Sequence, residues 1–390
     1  MTLSSLTPLT PDQAEIQRLA REFAQKEIAP HAAAWDRASF FEPSLVTRLG
    51  QLGFLGMLLP ERYDGLGLDT LTYLLALEEI AAADASAAVL MSVHNSLPTQ
   101  MILRSGTDQQ KERFLGPMAR GELLGAFALS EAEAGSDAAA LRTQAIHGAS
   151  EGDHWVLDGA KSWVSAGGNA GVILVMARTD HPERRRGARG ISAFIITPDL
   201  PGFKVGKKED KMGLRASPTV QLVFDQMRVP ADRLLGKEGD GFLYALQSLE
   251  HGRLGIAAQA IGIARHALEL SVTYAGERKQ FGHAIREFEA IQFKLAEMAV
   301  RVHASRALLH TTAAAKDRGE KVGAHASMCK LMASTTAMHV TSEALQIFGG
   351  YGFMKDYPVE RLFRDAKVTE IYEGTSEIQR VIISRALTHH

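Results

Sequence analysis

A carboxylate between an aromatic ring and a glycine stands near the end of the chain, in Ile371-Tyr372-Glu373-Gly374-Thr375-Ser376-Glu377-Ile378-Gln379-Arg380. In an apolar, water-poor pocket the charged form of a carboxylate is disfavoured, so its pKa rises and it becomes a stronger base. Gly374 has no side chain to keep a substrate away from the backbone. Glu373 is therefore a candidate proton-abstracting base. The same residues also fit a surface glutamate in a helix-entry loop, with Thr375 or Ser376 capping the helix. Alone they do not separate the two readings.

Other stretches hold groups that could meet a ligand. In Phe127-Ala128-Leu129-Ser130-Glu131-Ala132-Glu133-Ala134-Gly135-Ser136-Asp137 the hydroxyls of Ser130 and Ser136, with backbone N–H groups, can serve a polar ring edge or a phosphate. The stretch is equally a plain turn. In Lys161-Ser162-Trp163-Val164-Ser165-Ala166-Gly167-Gly168 an indole beside a hydroxyl and small residues suits stacking on a flat ring, or the core of a hairpin. Arg278-Lys279-Gln280-Phe281-Gly282 places an arginine fork, suited to a pyrophosphate, in what also reads as a surface loop. The paired glycines of Gln346-Ile347-Phe348-Gly349-Gly350-Tyr351-Gly352 either end a helix or admit a ligand to the backbone. They are not a dinucleotide-binding fingerprint, because no strand precedes them in a βαβ unit. Zinc-ligand spacing, a phosphate-binding P-loop and a Gly-x-Ser-x-Gly elbow are absent from the sequence.

The elements that must position these groups fall into three segments. From Pro11 to about Gly121 apolar residues recur at helical spacing, with Ile16, Leu19 and Phe23 on one face and Leu71, Leu74, Leu75 and Glu78 on another. Pro30, Pro43, Pro60 and Pro98 are expected to separate helices. Near Glu122 the period changes. Trp155–Val164 predicts a strand, an Asp158-Gly159 turn and a second strand. Val172–Met176 and Ile191–Ile196 predict short apolar strands, and Val220, Leu222 and Phe224 alternate as in a half-buried strand. From about Gly241 long helical stripes return: Ile256, Ala260, Ile263, Ala267, Leu270; then Phe288, Ile291, Leu295, Met298, Val302; then Leu331, Thr335, Met338, Ser342, Leu345. Such stripes suit antiparallel helices in a bundle. The expected fold is α+β and multidomain: an all-α domain over 1–121, a small β-barrel or sandwich over 122–236, and a four-helix bundle over 237–390. Ligand sites favour the junctions between domains. The basic loop His181–Gly190, with Arg184, Arg185, Arg186 and Arg189, is expected to be solvated.

Composition narrows the function classes. The 390 residues suit two or three domains at roughly 100–200 residues each. A hydrophobic content of 46% and a charged content of 23% are ordinary for a globular protein. A net charge of −2 leaves no global basic field for nucleic acid or an anionic membrane. The single cysteine, Cys329, excludes an intrachain disulfide and points to a reducing compartment; it is expected to be a small buried hydrophobe. The first residues lack the basic start and apolar core of a signal peptide, and no apolar run approaches the ~18 residues of a membrane helix. The expected location is the cytoplasm of a prokaryote, or the mitochondrial matrix for a eukaryotic mature chain.

Taken in order, these stretches resemble the acyl-CoA dehydrogenase family, and its short-chain, butyryl-CoA dehydrogenase-like members in particular. The resemblance covers the chain from the Glu15–Ile28 helix to Arg380. It includes Lys211-Met212-Gly213-Leu214-Arg215-Ala216-Ser217-Pro218-Thr219, Val229-Pro230 and Leu234-Leu235-Gly236. It implies FAD-dependent α,β-dehydrogenation of an acyl-CoA thioester to the trans-2-enoyl-CoA, Glu373 removing the α-proton and flavin N5 accepting the β-hydride. The thioester oxygen would be stabilised by the Glu373 backbone N–H and a ribityl hydroxyl, at about 3 kcal/mol per donor. Electrons would pass to electron-transfer flavoprotein.

Residue by residue, the resemblance implies that Phe127, Ala128, Leu129, Ser130 and Ser136 line the flavin, Ser136 also facing substrate, and that Trp163, Val164 and Ser165 pack on the ring. Arg278, Phe281, Gln346, Ile347, Gly349 and Gly350 would reach the FAD of a neighbouring subunit, in a homotetramer built as a dimer of dimers. Thr375 and Glu377 would also face cofactor. Glu250, Arg253, Gln259, Thr369, Tyr372 and Gly374 would surround the substrate. Some relatives carry the base on a bundle helix; Gly252, in Glu250-His251-Gly252-Arg253, occupies that position here, so Glu373 has no rival. Arg253 would orient the base. Gln259 and Thr369 match short-chain members, where they shorten the acyl pocket. Ala132 and Glu133 depart from a usual proline loop, and Glu289 from a usual glutamine at the adenine side. An acyl-CoA oxidase using oxygen, and a non-catalytic flavoprotein or flavin monooxygenase of related fold, are the competing readings.

Overall fold

The structure, a computed structural model, describes residues 7–40, 42–148, 153–181 and 186–388. Arg184 and Arg185 lie outside the described residues. The N-terminal helices are α1 (Pro11–Phe23), α2 (Ala29–Ala38), α3 (Ser44–Gln51), α4 (Thr70–Ala83), α5 (Ala85–Ser96), α6 (Pro98–Ser105) and α7 (Asp108–Ala119). Thr10 caps α1 through a reciprocal bond with Gln13, and Asp84 caps α5 by accepting from the Ala87 N–H at 2.8 Å. Pro30 does not separate helices: a π-helical turn over Ala24–Ile28 runs from α1 into α2, and Pro30 sits in the first turn of α2, where a missing N–H costs nothing. Leu19 is exposed, and Ala20 and Phe23 supply the buried face of α1 instead.

The middle segment holds β1 (Gly125–Ala128), β2 (Gln144–His147), β3 (His154–Ser165), β4 (Val172–Arg178), β5 (Ile191–Ile196), β6 (Phe203–Lys208), β7 (Thr219–Pro230) and β8 (Leu234–Leu235). They form one sheet in the order β6-β7-β3-β2-β4-β5-β8, with β1 beside β4. β4 and β5 are apolar throughout because both faces are covered. Val172, Leu174 and Met176 pack with helix residues Met101, Ile102, Phe114 and Leu115, while Ile173, Val175 and Ala177 pack with Val220, Leu222 and Phe224.

The strand-turn-strand reading of Trp155–Val164 is corrected. β3 is a single strand paired antiparallel with β7, and Asp158-Gly159 marks a register shift within it. Gln226 opposes it in the left-handed region at φ 46° and donates through Nε2 to Asp158 at 2.6 Å. Gly159 is needed for close approach, since a Cβ there would lie 2.7 Å from Thr143 Oγ1. A second shift follows between Lys161 and Val164, and it turns Trp163 outward at φ 58°.

The C-terminal segment contains α8 (Gly241–Glu277), the hairpin strands β9 (Lys279–Gln280) and β10 (His283–Ala284), then α9 (Glu289–Asp317), α10 (Gly323–Phe348), α11 (Val359–Val368) and α12 (Ser376–Thr388). Phe281 and Gly282, both at positive φ, form the tight turn of the hairpin. The α8 stripe is buried as expected from Ile256 to Ala267. The α10 stripe is offset: Ala326, Cys329, Ala333, Ala337, Val340 and Ala344 face the core, while Leu331, Met338 and Leu345 are half-buried and Ser342 is exposed. Residues of α4, α5, α8, α10 and α11 share one continuous core, so the two helical segments are fused across the site. Within it, the fully buried Glu78 meets Arg306 at 2.9 Å, Arg265 at 3.2 Å and His310 at 3.7 Å. Burial alone would raise its pKa, yet His310, Arg306 and Arg265 hold it down to about 2.

Candidate active site around Glu373

Glu373 lies in the tight connection between α11 and α12. The chain leaves α11 through Thr369, whose hydroxyl donates to the Ala366 carbonyl at 2.7 Å. Glu373 (φ 51°) and Gly374 (φ 92°) are both left-handed. That conformation costs free energy at a residue with a side chain and persists only where surroundings enforce it. Here the Gly374 carbonyl accepts from Lys330 Nζ at 2.5 Å and from Gln379 Nε2 at 2.8 Å. Thr375 also serves as the cap, accepting from the Ile378 N–H at 3.3 Å, so the structural reading of that residue holds as well.

Both Glu373 carboxylate oxygens are buried without a hydrogen-bond partner. Burial pushes the carboxyl up to about 7, against the pull of Lys330 and then Arg253. The Glu373 N–H donates to no protein acceptor among the described residues, whereas the Ile371, Tyr372 and Ser376 N–H groups are bonded to backbone carbonyls. A Cβ built on Gly252 of α8 would lie 1.9 Å from Glu373 Oε2. Only glycine leaves room for this carboxylate.

The expected substrate residues gather on the same side. Tyr372 donates its hydroxyl to Gln259 Oε1, and Gln259 Nε2 donates to the Ala85 carbonyl at 2.8 Å. Gln259 and Thr369 are fully buried. Arg253 is close enough to act on Glu373 electrostatically, but no hydrogen bond joins them, and its Nε is itself buried and unpartnered. Glu250 pairs with Lys316 at 3.2 Å.

The other candidates form two sets. In the first, the Ser162 N–H donates to the Ser130 carbonyl at 2.9 Å, which brings the 127–130 stretch beside Trp163, Val164 and Ser165. Trp163 and Ser136 are exposed, Phe127 and Ser130 half-buried. Ala128, Leu129 and Val164 point into the core, so they can offer only backbone to a ligand. In the second set, Arg278, Ile347, Gly349 and Gly350 line a cavity of about 540 Å³ with Tyr274, Phe348 and Tyr351. Phe281 is 92% exposed at the hairpin tip, and a Cβ on Gly349 or Gly350 would meet nothing within 4 Å. Gln346 ends α10 by accepting from the Gly349 N–H. Glu377 pairs with Arg380 at 3.4 Å and is exposed, as is Glu289. A flat exposed indole, hydroxyls and backbone at one site, and an arginine over an open diglycine at the other, fit the ring and the phosphate-bearing arm of a flavin dinucleotide.

Comparison with known proteins decides the family. Models of the acyl-CoA dehydrogenase N-terminal, middle and C-terminal domains match residues 10–122, 126–227 and 239–388. The chain belongs to the acyl-CoA dehydrogenase family. It is 48% identical over 379 residues to the acyl-CoA dehydrogenase of Bacillus subtilis, covering 97% of this chain and 98% of that one. It is 44% identical over 376 residues to a short-chain specific acyl-CoA dehydrogenase of Clostridium acetobutylicum, covering 96% and 98%. The structure of butyryl-CoA dehydrogenase from Megasphaera elsdenii superposes with a TM-score of 0.94 at 43% identity, covering 98% and 99%. Acyl-CoA dehydrogenases are FAD-dependent oxidoreductases, which agrees with the two sets above. The described residues contain no helix long and apolar enough to cross a membrane and no cluster able to hold a metal ion.

Sequence reasoning missed Lys330, which is buried beneath the Glu373 loop. A lone lysine within the small and apolar run Ala326–Ala333 was the available signal. It also missed Tyr73 of α4, a fully buried phenol whose pKa is raised by burial and by the Glu373 charge.

Proposed function

We propose that this family member dehydrogenates a short-chain or short-branched acyl-CoA thioester, with Glu373 removing the α-proton. The buried, unpartnered Glu373 carboxylate carries this reading. Its carboxyl, raised to about 7, is ionised in a substantial fraction near neutral pH and is a stronger base than an ordinary carboxylate. The free Glu373 N–H is the chain's own donor to the thioester oxygen as negative charge builds there. Without such donors a carboxylate is far too weak a base for a thioester. FAD, held by Ser130, Trp163 and Ser165, supplies the acceptor for the β-hydride.

The preference for short acyl groups is supported by Gln259, bridged to Tyr372 and Ala85, and by the buried Thr369, which would form the floor of the acyl pocket. The Arg278 cavity and the exposed Phe281 support a flavin arm shared with a second copy, in a homotetramer. Electron-transfer flavoprotein is the proposed acceptor and the cytoplasm the proposed setting. The test is anaerobic flavin bleaching against straight, branched and aromatic acyl-CoAs. Butyryl-CoA or a short branched analogue should bleach fastest, and a preference for long chains would overturn the pocket assignment. Rapid reoxidation of the reduced product complex by air would indicate an oxidase instead.

A further inference from the structure

We propose that Lys330 is a positioning residue for Glu373: its buried ammonium clamps the Glu373-Gly374 loop through the Gly374 carbonyl and supplies the positive charge that compensates the neighbouring carboxylate. The inference rests on the reading of Glu373 as the base and assigns it a partner on α10.

A fully buried lysine is costly, because an ammonium taken out of water loses several kcal/mol unless charge or hydrogen bonds replace its hydration. The bond from Nζ to the Gly374 carbonyl, at 2.5 Å, replaces part of it. That carbonyl does not require a cation, since Gln379 already donates to it at 2.8 Å. Lys330 makes no ion pair within 4.0 Å among the described residues. What remains to balance its charge is the through-space field of Glu373, foremost among the charges acting on it, with Glu370 and Glu377 adding attraction and Arg253 opposing. The relation is reciprocal. Glu373 has no hydrogen-bond partner, and the groups facing it are Lys330 from α10, Arg253 from α8, Tyr73 from α4 and the adjacent Tyr372. Both tyrosines are raised well above their usual range by burial and stay neutral, so Lys330 and Arg253 are the cations holding the carboxyl down.

Two consequences follow for the loop. The second donor on the Gly374 carbonyl fixes two successive left-handed residues and so fixes where the carboxylate points. The charge sets the pH at which Glu373 becomes a base. Removing a positive charge disfavours the carboxylate, so the ionisation moves to higher pH.

The test uses the flavin-loaded, full-length protein with Lys330→Met, Lys330→Gln and Lys330→Arg, and Glu373→Gln as control. Two quantities are followed against pH: the rate of anaerobic flavin bleaching by butyryl-CoA, and the infrared signature of the Glu373 carboxyl in the substrate-free holoenzyme, assigned by its loss in Glu373→Gln. Lys330→Met and Lys330→Gln should both move the midpoint up by about one pH unit. Lys330→Arg should return it close to wild type. The glutamine variant can still donate to Gly374, so a purely structural lysine would leave its midpoint unchanged, and that result overturns the proposal. Loss of flavin binding in both neutral variants, with recovery in Lys330→Arg, would also count against it, because the lysine would then serve folding alone. Bleaching retained in Glu373→Gln would instead overturn the base assignment, independently of Lys330.

Discussion

Gly252 and Glu373 are packed so closely that the first can carry no side chain without displacing the second: a Cβ on Gly252 would lie 1.9 Å from Glu373 Oε2 and 3.3 Å from Leu97. A helix position and a loop position on different elements thus compete for one volume. Gly252→Ala should keep the fold and the yellow colour but push the carboxylate aside. A displacement of about 1 Å at a reacting group typically costs on the order of 100-fold in rate. Stopped-flow flavin reduction by butyryl-CoA measures it, and an unchanged rate would show that the carboxylate has room to spare.

Glu373 should cost stability where it is ionised. Its folded pKa of about 7 lies above the ordinary value of 4.5, so it favours the folded state below 4.5 and that contribution is lost as pH rises through 7. Glu373→Gln should therefore melt higher than wild type above pH 7 and match it below 4.5, the difference reaching about 3 kcal/mol. Urea melts of the holoenzyme at several pH values check this.

Glu78 should behave in the opposite sense. Its carboxyl is held at about 2, so its stabilisation is present above 4.5 and is lost as pH falls toward 2. Glu78→Gln leaves Arg306 buried without its anion, although Arg265 keeps Glu79 at 2.7 Å and Glu269 at 3.1 Å, and should destabilise by about 3–5 kcal/mol. Denaturant titration reads it, and a change below 1 kcal/mol would mean that the network does little for stability.

Gln259 should limit acyl length. Gln259→Ala removes the partner of the Tyr372 hydroxyl and would deepen the proposed acyl pocket. The ratio of kcat/KM for hexanoyl-CoA over butyryl-CoA should rise by about tenfold, the scale on which buried methylenes discriminate. A ratio equal to wild type would place the pocket floor elsewhere.

Local patterns were legible in the sequence, and long-range pairings were not. The Tyr372-Glu373-Gly374 triplet announced a possible base, and the apolar runs of β4 and β5 announced short strands. Asp158-Gly159 reads as a hairpin turn because nothing nearby in sequence reveals that β7 pairs along the whole of β3. The α10 stripe was misplaced because its buried face is made of alanines, which a search for large apolar residues passes over, and Lys330 was hidden with them. Glu78 sits on an apolar face as predicted, but its partners Arg265, Arg306 and His310 come from distant helices.

The most direct test of the site is anaerobic mixing of flavin-loaded Glu373→Gln with butyryl-CoA. The variant should bind flavin as wild type does and show no bleaching on the timescale in which wild type is fully reduced. Bleaching at a rate comparable to wild type would contradict Glu373 as the base.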